Sequence, residues 1–213
     1  MSTTLYYIHD PMCSWCWGYR PVWDELQKNL PMGINVEYVV GGLAPDSDEP
    51  MRMEQQEIIQ AHWRIIEEKL GTQFNGDFWI RNVARRSTYN ACRAVIAAKK
   101  QKLEQEMLDA IQRGYYLRAL NPSDKSILIQ LAEELASKKL AMNVTDFAKD
   151  LNSVEVETEL MRQIDFARKL TQHGFPSLVL KKNGECHRIM HDYKDHILTF
   201  KQINTIHSKK VLS

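Results

Sequence analysis

The hydrophobic and polar positions of the first fifty residues follow a strand–helix–strand order. Residues 5–9 form a short aromatic and β-branched run, which predicts a buried strand. Apolar residues recur at helical spacing over about 14–30, and Pro21 should kink that helix because it lacks a backbone donor. Residues 34–40 alternate and predict a second strand, parallel to the first and closed by Gly41-Gly42. The chain therefore opens with a βαβ unit, whose crossover should be right-handed.

The middle of the chain, residues 51–170, carries helical periodicity and almost no strand pattern. Predicted helices lie at about 58–70, 91–98, 104–120, 127–140, 145–151 and 154–170. Gly71 is placed to end the first of these, and Ser87 or Thr88 to cap the second. This segment is therefore expected to be an all-helical block.

Strand patterns return only near the end of the chain. Two apolar runs, at 177–181 and 186–190, are separated by Asn183-Gly184. Asn-Gly in this position favours a type I′ hairpin, because both residues tolerate positive φ. A last amphipathic helix is expected at about 195–207.

The order of these elements predicts an α/β domain that is interrupted by a helical one. Residues 1–50 and 171–213 would form the α/β domain, and residues 51–170 would be inserted as a helical domain.

Composition and charge restrict the possible partners and location. The 213 residues are 44% hydrophobic and 26% charged, with a formal net charge of +1, so nucleic acid is not an expected partner. The first residues lack the basic and apolar regions of a secretory signal, and no stretch approaches the roughly 20 apolar residues of a membrane span. We therefore expect a cytoplasmic protein with no membrane partner.

Cys13 and Cys16 form a C-x-x-C motif between the first predicted strand and the first helix. A helix N-terminus presents unpaired N–H groups and the positive end of the macrodipole, which favour a thiolate. The spacing also allows the two sulfurs to close a small disulfide ring. The motif therefore predicts a redox-active pair.

A C-x-x-C motif can also belong to a zinc site or form a static structural disulfide. A structural zinc site usually needs four ligands, and the nearest additional ones, Cys186, His187 and His191, do not form a standard pairing. A static disulfide is unusual in a chain without an export signal. Neither a metal nor an organic cofactor is therefore expected.

Two sequence strings resemble a known family. These are H-D-P-M-C-S-W-C-W-G at 9–18 and H-G-F-P-S-L-V at 173–179, with R-R-S-T-Y-N-A-C-R-A at 85–94 a weaker match. Together with the element order, they make the chain similar to the DsbA-like branch of the thioredoxin fold, and within it to the cytoplasmic FrnE-like, predicted protein-disulfide isomerase group. The resemblance implies a thioredoxin fold with a large all-helical insertion and the activity of a thiol–disulfide oxidoreductase.

The resemblance also implies roles for residues at both ends of the chain. Cys13 would be the exposed nucleophile and Cys16 the buried resolving thiol. Phe175-Pro176 would form a cis peptide bond facing the dithiol, leaving the backbone of Phe175 free to pair with an extended substrate strand. The substrate would be a disulfide-containing protein or a small thiol compound such as glutathione.

Supporting roles follow for the neighbours of the cysteines. Trp15 would offer an apolar platform for substrate, and the Ser14 hydroxyl could donate to the Cys13 thiolate. Because Ser14-Trp15 replaces the Pro-His of the strongly oxidising members, we expect a lower reduction potential. Asp10 could accept a proton from Cys16 through water, although its place before Pro11 favours a turn-forming role.

The other polar candidates are expected to be structural. His9 is interpreted as a hydrogen-bonded packing residue, Cys92 as an inert buried thiol, and Cys186 as a structural strand cysteine. Arg85 and Arg86 are interpreted as solvated surface charge.

Two alternative functions stay open at this point. The fold is shared with kappa-class glutathione transferases and chromene-carboxylate isomerases, but those enzymes use a serine at the catalytic helix start rather than two cysteines. A non-enzymatic metal-binding or chaperone-like module would use Cys13 and Cys16 as ligands.

Overall fold

The computed structural model describes residues 3–138, 140–171 and 174–209, and its centre is a mixed sheet. The strands are β1 (Thr3–His9), β2 (Ile34–Val40), β3 (Ser177–Lys182) and β4 (Glu185–Ile189). They lie in the order β2-β1-β3-β4. β1 runs parallel to β2 and antiparallel to β3, and β3 and β4 form an antiparallel pair. The predicted βαβ opening and the late hairpin are therefore confirmed.

Most of the helices lie between β2 and β3 in the chain. They are α1 (Ser14–Asn29), α2 (Met53–Leu70), α3 (Phe78–Arg81), α4 (Tyr89–Lys99), α5 (Glu104–Arg118), α6 (Lys125–Ser137), α7 (Val144–Asp150), α8 (Val154–Leu170) and α9 (Ile197–Ser208). The short α3 was not predicted, because four residues carry too little periodicity to be recognised. Pro21 lies inside α1 and neither ends nor divides it.

The turn signals of the sequence act as expected. Gly71 ends α2 in the left-handed conformation with φ 69°, and its N–H bonds to the carbonyl of Glu67 at 2.8 Å. Asn183 and Gly184 both have positive φ, 53° and 86°, as the type I′ hairpin requires.

The main core packs sheet residues against α1 and against the helical block. Tyr7 of β1 stacks on Trp23 of α1 with ring centroids 4.3 Å apart, and Trp23 donates to the Tyr38 hydroxyl at 2.9 Å. The same cluster continues to Val95 on α4 and Ile164 on α8. The division of the chain into an α/β domain and an inserted helical domain stays a prediction.

A second cluster of aromatic rings lies among α2, α3 and α5. Its members are Met51, Trp63, Phe78, Ala84, Tyr115, Tyr116 and Ala119. Trp17, directly after the C-x-x-C motif, stacks on Tyr116 with centroids 5.6 Å apart. The cluster therefore ties the start of α1 to the helical block. In the described ranges, no helix is both long and apolar enough to cross a bilayer.

Candidate active site

The turn between β1 and α1 places the C-x-x-C motif at a helix start. Cys13 is the N-cap of α1, in an extended conformation, and its N–H donates to the carbonyl of Asp10 at 3.0 Å. The N–H of Trp17 donates to the carbonyl of Cys13 at 3.1 Å. Cys16 lies in the first turn, so the helix axis begins at the dithiol.

The two sulfurs are both free thiols, and they differ in access to solvent. Cys13 is 6% exposed and Cys16 is 0% exposed. The expectation of an exposed Cys13 was therefore wrong, since its side chain is buried and its thiol donates to the Phe175 carbonyl at 3.4 Å. The expectation of a buried Cys16 is confirmed.

Cys16 is held in its thiol form by its surroundings. Burial raises the pKa of Cys16 well above its usual range, and the hydrogen bond to Cys13 and the nearby Cys13 charge raise it further. A thiolate at Cys16 is therefore disfavoured while Cys13 is free.

The Phe175 turn faces the dithiol across the site. The Phe175–Pro176 peptide bond is cis, which confirms the implied geometry. The Cys13 thiol donates to the carbonyl oxygen of Phe175 at 3.4 Å. The carbonyl has a second lone pair, so pairing of the Phe175 backbone with a substrate strand stays a prediction.

Gly41 provides the space in which the ring of Phe175 sits. A Cβ atom at position 41 would lie 1.9 Å from Cζ and 2.1 Å from Cε1 of Phe175. The N–H of Gly41 also donates to the carbonyl of His9 at 2.7 Å. Sequence reasoning gave Gly41 only the role of ending a strand, although a glycine there can signal close approach of another group.

Asp10 is fully buried and receives hydrogen bonds from several parts of the chain. Its Oδ1 accepts from the N–H of Met12 at 2.8 Å, and its Oδ2 accepts from the N–H of Leu43 and the hydroxyl of Thr88, each at 2.7 Å. The Cys92 thiol also donates to Oδ2, at 3.6 Å. Burial raises the pKa of Asp10, and these hydrogen bonds oppose that rise.

These contacts confirm some structural expectations and correct others. The bond to Met12 is the turn-forming role expected of Asp10, whereas proton transfer from Cys16 stays a prediction. Thr88 does precede α4, but its hydroxyl makes no capping bond and is directed to Asp10 instead. Cys92 is buried as expected, and its thiol is part of this network.

His9 packs among rings directly before the turn. Its ring stacks on Tyr7 with centroids 5.2 Å apart and meets Tyr38 edge-on at 5.7 Å. The expected packing of His9 is therefore confirmed. The expected hydrogen bond was wrong, because among the described residues neither ring nitrogen has a hydrogen-bond partner. Burial, with a smaller effect of Lys99, lowers the pKa of His9 to about 3.

A cavity of about 330 Å³ opens beside the sulfur of Cys13. Its lining comprises Met12, Cys13, Ser14, Trp15, Leu43, Ala44, Met51, Ile58, Ile59, His62, Arg85, Arg86, Ser87, Thr88, Tyr115 and Phe175. Arg85 and Arg86 are therefore cavity residues rather than plain surface charge. Sequence reasoning could not find them, since the fold alone brings the segment before α4 to the motif.

Trp15 and Ser14 both border this cavity. Trp15 is half-buried, meets Tyr193 edge-on at 5.1 Å and lines the cavity. In the described part of the chain the Ser14 hydroxyl makes no hydrogen bond to Cys13. Their proposed roles toward substrate and thiolate stay predictions.

Cys186 lies away from this arrangement. It is exposed on β4, where it pairs with Lys181 across the hairpin. Within the described ranges, no group of three or more His, Cys, Asp or Glu side chains is placed to hold a metal ion.

Comparisons with known proteins agree with this architecture. The ClpXP adapter protein SpxH of Halalkalibacterium halodurans is 24% identical over 181 residues, which are 82% of this chain and 57% of that protein. The chain thus spans little more than half the length of this curated relative.

Solved structures match over nearly the whole chain. A candidate protein disulfide isomerase from Nitrosomonas europaea has a TM-score of 0.84 at 24% identity, covering 96% of this chain and 97% of that one. The cytosolic disulfide reductase DsbM of Pseudomonas aeruginosa has a TM-score of 0.72 at 21% identity, covering 95% and 96%. DsbM also has a structure with GSH. DsbA of Xylella fastidiosa has a TM-score of 0.60 at 14% identity, covering 98% and 88%.

A family model described as thioredoxin matches residues 6–198. That range begins within β1 and includes the dithiol helix start, the helical block and the Phe175-Pro176 turn. The chain therefore belongs to the thioredoxin family, with the fold of its DsbA-like members.

Proposed function

We propose that the protein is a thiol–disulfide oxidoreductase, similar to protein disulfide isomerases, in which Cys13 attacks and Cys16 resolves. The observation that carries this proposal is the position of the two sulfurs. Cys13 caps α1, contacts the Phe175 carbonyl and borders the cavity, whereas Cys16 lies fully buried behind it. A helix N-terminus favours the thiolate that such an attack needs.

The proposed reaction has two exchange steps. The Cys13 thiolate attacks one sulfur of a disulfide, so that a Cys13–substrate bond forms, the substrate S–S bond breaks and one thiolate leaves. Cys16 then loses its proton and attacks the Cys13 sulfur, releasing the second thiolate. The substrate disulfide gains two electrons and two protons, and Cys13 and Cys16 end as a disulfide. The reverse direction oxidises a dithiol.

Substrate, location and subgroup are part of the same proposal. The substrate would be a protein disulfide or a small disulfide, and the description of DsbM as a cytosolic disulfide reductase, with a GSH-bound structure, supports a cytoplasmic enzyme that meets small thiols. The strings around Cys13 and Phe175 support the narrower FrnE-like assignment.

A redox titration tests the central claim. The protein is equilibrated in a series of glutathione buffers, its free thiols are alkylated, and the state of the Cys13–Cys16 pair is measured by mass spectrometry. We expect one reversible two-electron transition. Cys13→Ser should abolish turnover, and Cys16→Ser should accumulate a mixed disulfide on Cys13, because nothing then resolves it.

Cys186→Ser is the matched control, since that thiol is exposed but lies outside the site. It should leave the transition unchanged. If Cys13 and Cys16 are both alkylated in every buffer, the pair never forms a disulfide and the proposal is wrong. Full turnover of Cys16→Ser with free glutathione would indicate a monothiol mechanism, in which Cys13 acts without Cys16.

A further inference from the structure

The cavity beside Cys13 has an apolar side and a basic side. Apolar side chains from four parts of the chain border it: Met12, Trp15, Leu43, Ile58, Ile59 and Phe175. Arg85 and Arg86, just before α4, border the same space. A ligand that fills the cavity would therefore contact both apolar side chains and a guanidinium group.

Only one of the two arginines is free to bind a ligand. Arg85 forms an ion pair with Asp124. Arg86 is exposed and has no carboxylate within ion-pair distance in the described part of the chain. The positive charge that the cavity presents is therefore mainly that of Arg86.

Among the described residues, no carboxylate lines the cavity to offset that charge. None of the lining residues in the described ranges is Asp or Glu, and the remaining ionisable lining group besides the arginines, Tyr115 and Cys13 is His62. Asp10 lies behind Thr88, fully buried, with both oxygens engaged by donors. A guanidinium without a protein partner is a fitting site for a carboxylate.

The size of the cavity favours a small molecule over a folded surface. At about 330 Å³ it lies at the lower end of the range typical of small-molecule sites, roughly 300–1,000 Å³. Cys13 lines that space and is 6% exposed, so a disulfide must enter the cavity to reach it.

We propose that this site takes small anionic disulfides, with Arg86 binding a substrate carboxylate while Cys13 attacks the S–S bond. This inference rests on the oxidoreductase function proposed above and names its substrate class. One small disulfide is consumed per dithiol: its two sulfurs leave as two thiols, and Cys13 and Cys16 become oxidised.

Three disulfides of similar length and different charge test the proposal. Pre-reduced protein is mixed with dithiodipropionate (anionic), hydroxyethyl disulfide (neutral) or cystamine (cationic). The rate of Cys13–Cys16 oxidation is measured in a single turnover by acid quench, alkylation and mass spectrometry. Each rate is divided by the rate of free dithiothreitol with the same disulfide, because the leaving-group thiols differ in pKa. On this relative scale the parent should react up to about fivefold faster with the anionic compound than with the neutral one, and slowest with the cationic one, as an exposed ion pair allows.

Variants of Arg86 separate binding from general charge. Arg86→Ala should bring the anionic and neutral rates to within about twofold, Arg86→Lys should keep most of the preference, and Arg86→Glu should favour cystamine. Arg162→Ala is the matched control, because it removes one exposed charge on α8, outside the cavity. It should retain the parent's preference.

The outcomes distinguish this inference from the function on which it rests. Equal rates for all three compounds, or a preference unchanged in Arg86→Ala, would overturn the inference and leave the oxidoreductase in place. Reduction of insulin disulfides with none of the small compounds reacting would also overturn it, in favour of protein substrates. If no disulfide of any kind oxidises the pair, the proposed function itself fails.

Discussion

A methyl group at position 41 should displace the ring of Phe175 and disturb the carbonyl that contacts Cys13. The Cβ of Gly41→Ala would lie 1.9 Å from Cζ of Phe175, whereas ordinary contact begins at 3.4 Å, so the ring has to move by about 1.5 Å. The carbonyl of the same residue accepts the Cys13 thiol at 3.4 Å. A change at the end of β2 should therefore reach the reactive sulfur.

Two magnitudes follow from this displacement. Overpacking a filled site costs about 1–3 kcal/mol of unfolding free energy. A misplacement of about 1 Å in a reacting group can lower a rate by roughly a hundredfold, so we expect a 10- to 100-fold loss in disulfide exchange. Urea unfolding measures the first effect, and single-turnover oxidation by hydroxyethyl disulfide measures the second.

Two further variants make the reasoning refutable. Gly76→Ala is the control, because a Cβ there meets no heavy atom within 4 Å. It should leave both quantities unchanged. In a Phe175→Ala background the cost of Gly41→Ala should largely disappear, since the ring that it strikes is gone. An unchanged cost in that background would show that the Phe175 ring does not transmit the effect.

Two other predictions concern the buried groups beside the dithiol. The pKa of His9 is lowered to about 3 by burial, from about 6.5 when unfolded, so the stability it contributes is present above pH 6.5 and lost as pH falls toward 3. The free energy of unfolding, measured in urea, should fall by about 1.4 kcal/mol per pH unit below about 6.5. His9→Phe should reduce this pH dependence. A variant with the parent's pH dependence would contradict the assignment. Asp10→Ala should cost at least about 3 kcal/mol, because the N–H groups of Met12 and Leu43 and the Thr88 hydroxyl lose their acceptor. An unchanged urea midpoint would show that these donors find other partners.

The fold could be predicted from local patterns because each signal acts within a few residues. Alternation at 34–40, helical spacing after Ser14 and the Asn183-Gly184 turn all specify backbone geometry nearby. The pairing of distant elements followed from their order, since a βαβ unit and a late hairpin allow few arrangements in one sheet.

Only those site residues that belong to a recognisable sequence motif could be predicted. Cys13, Cys16 and the Phe175-Pro176 bond came from strings at the two ends of the chain. Thr88 is 78 positions away from Asp10, and no local pattern connects them. The Cys13 thiol likewise contacts the carbonyl of Phe175, 162 positions away, which sequence periodicity does not specify.

The surroundings of Asp10 weigh against its use as the proton acceptor for Cys16. Oδ1 already accepts one N–H, and Oδ2 accepts a hydroxyl, an N–H and the Cys92 thiol. Burial raises the pKa of Asp10 and so favours its protonation, but both oxygens already accept from other donors. In the described part of the chain no hydrogen bond joins either oxygen to the Cys16 thiol. The proton of Cys16 should therefore leave by way of the departing thiolate or water in the cavity.

That route makes a kinetic prediction at Asp10 itself. Asp10→Asn cannot take up a proton, but it keeps one of the two acceptor oxygens and so retains part of the positioning role. If Asp10 only positions the turn, the rate at which Cys16 resolves a preformed Cys13 mixed disulfide should fall by less than about tenfold. Its dependence on pH should then match the parent's. A loss of a hundredfold or more, the order of effect of general base catalysis, together with a lost pH dependence, would instead identify Asp10 as the proton acceptor.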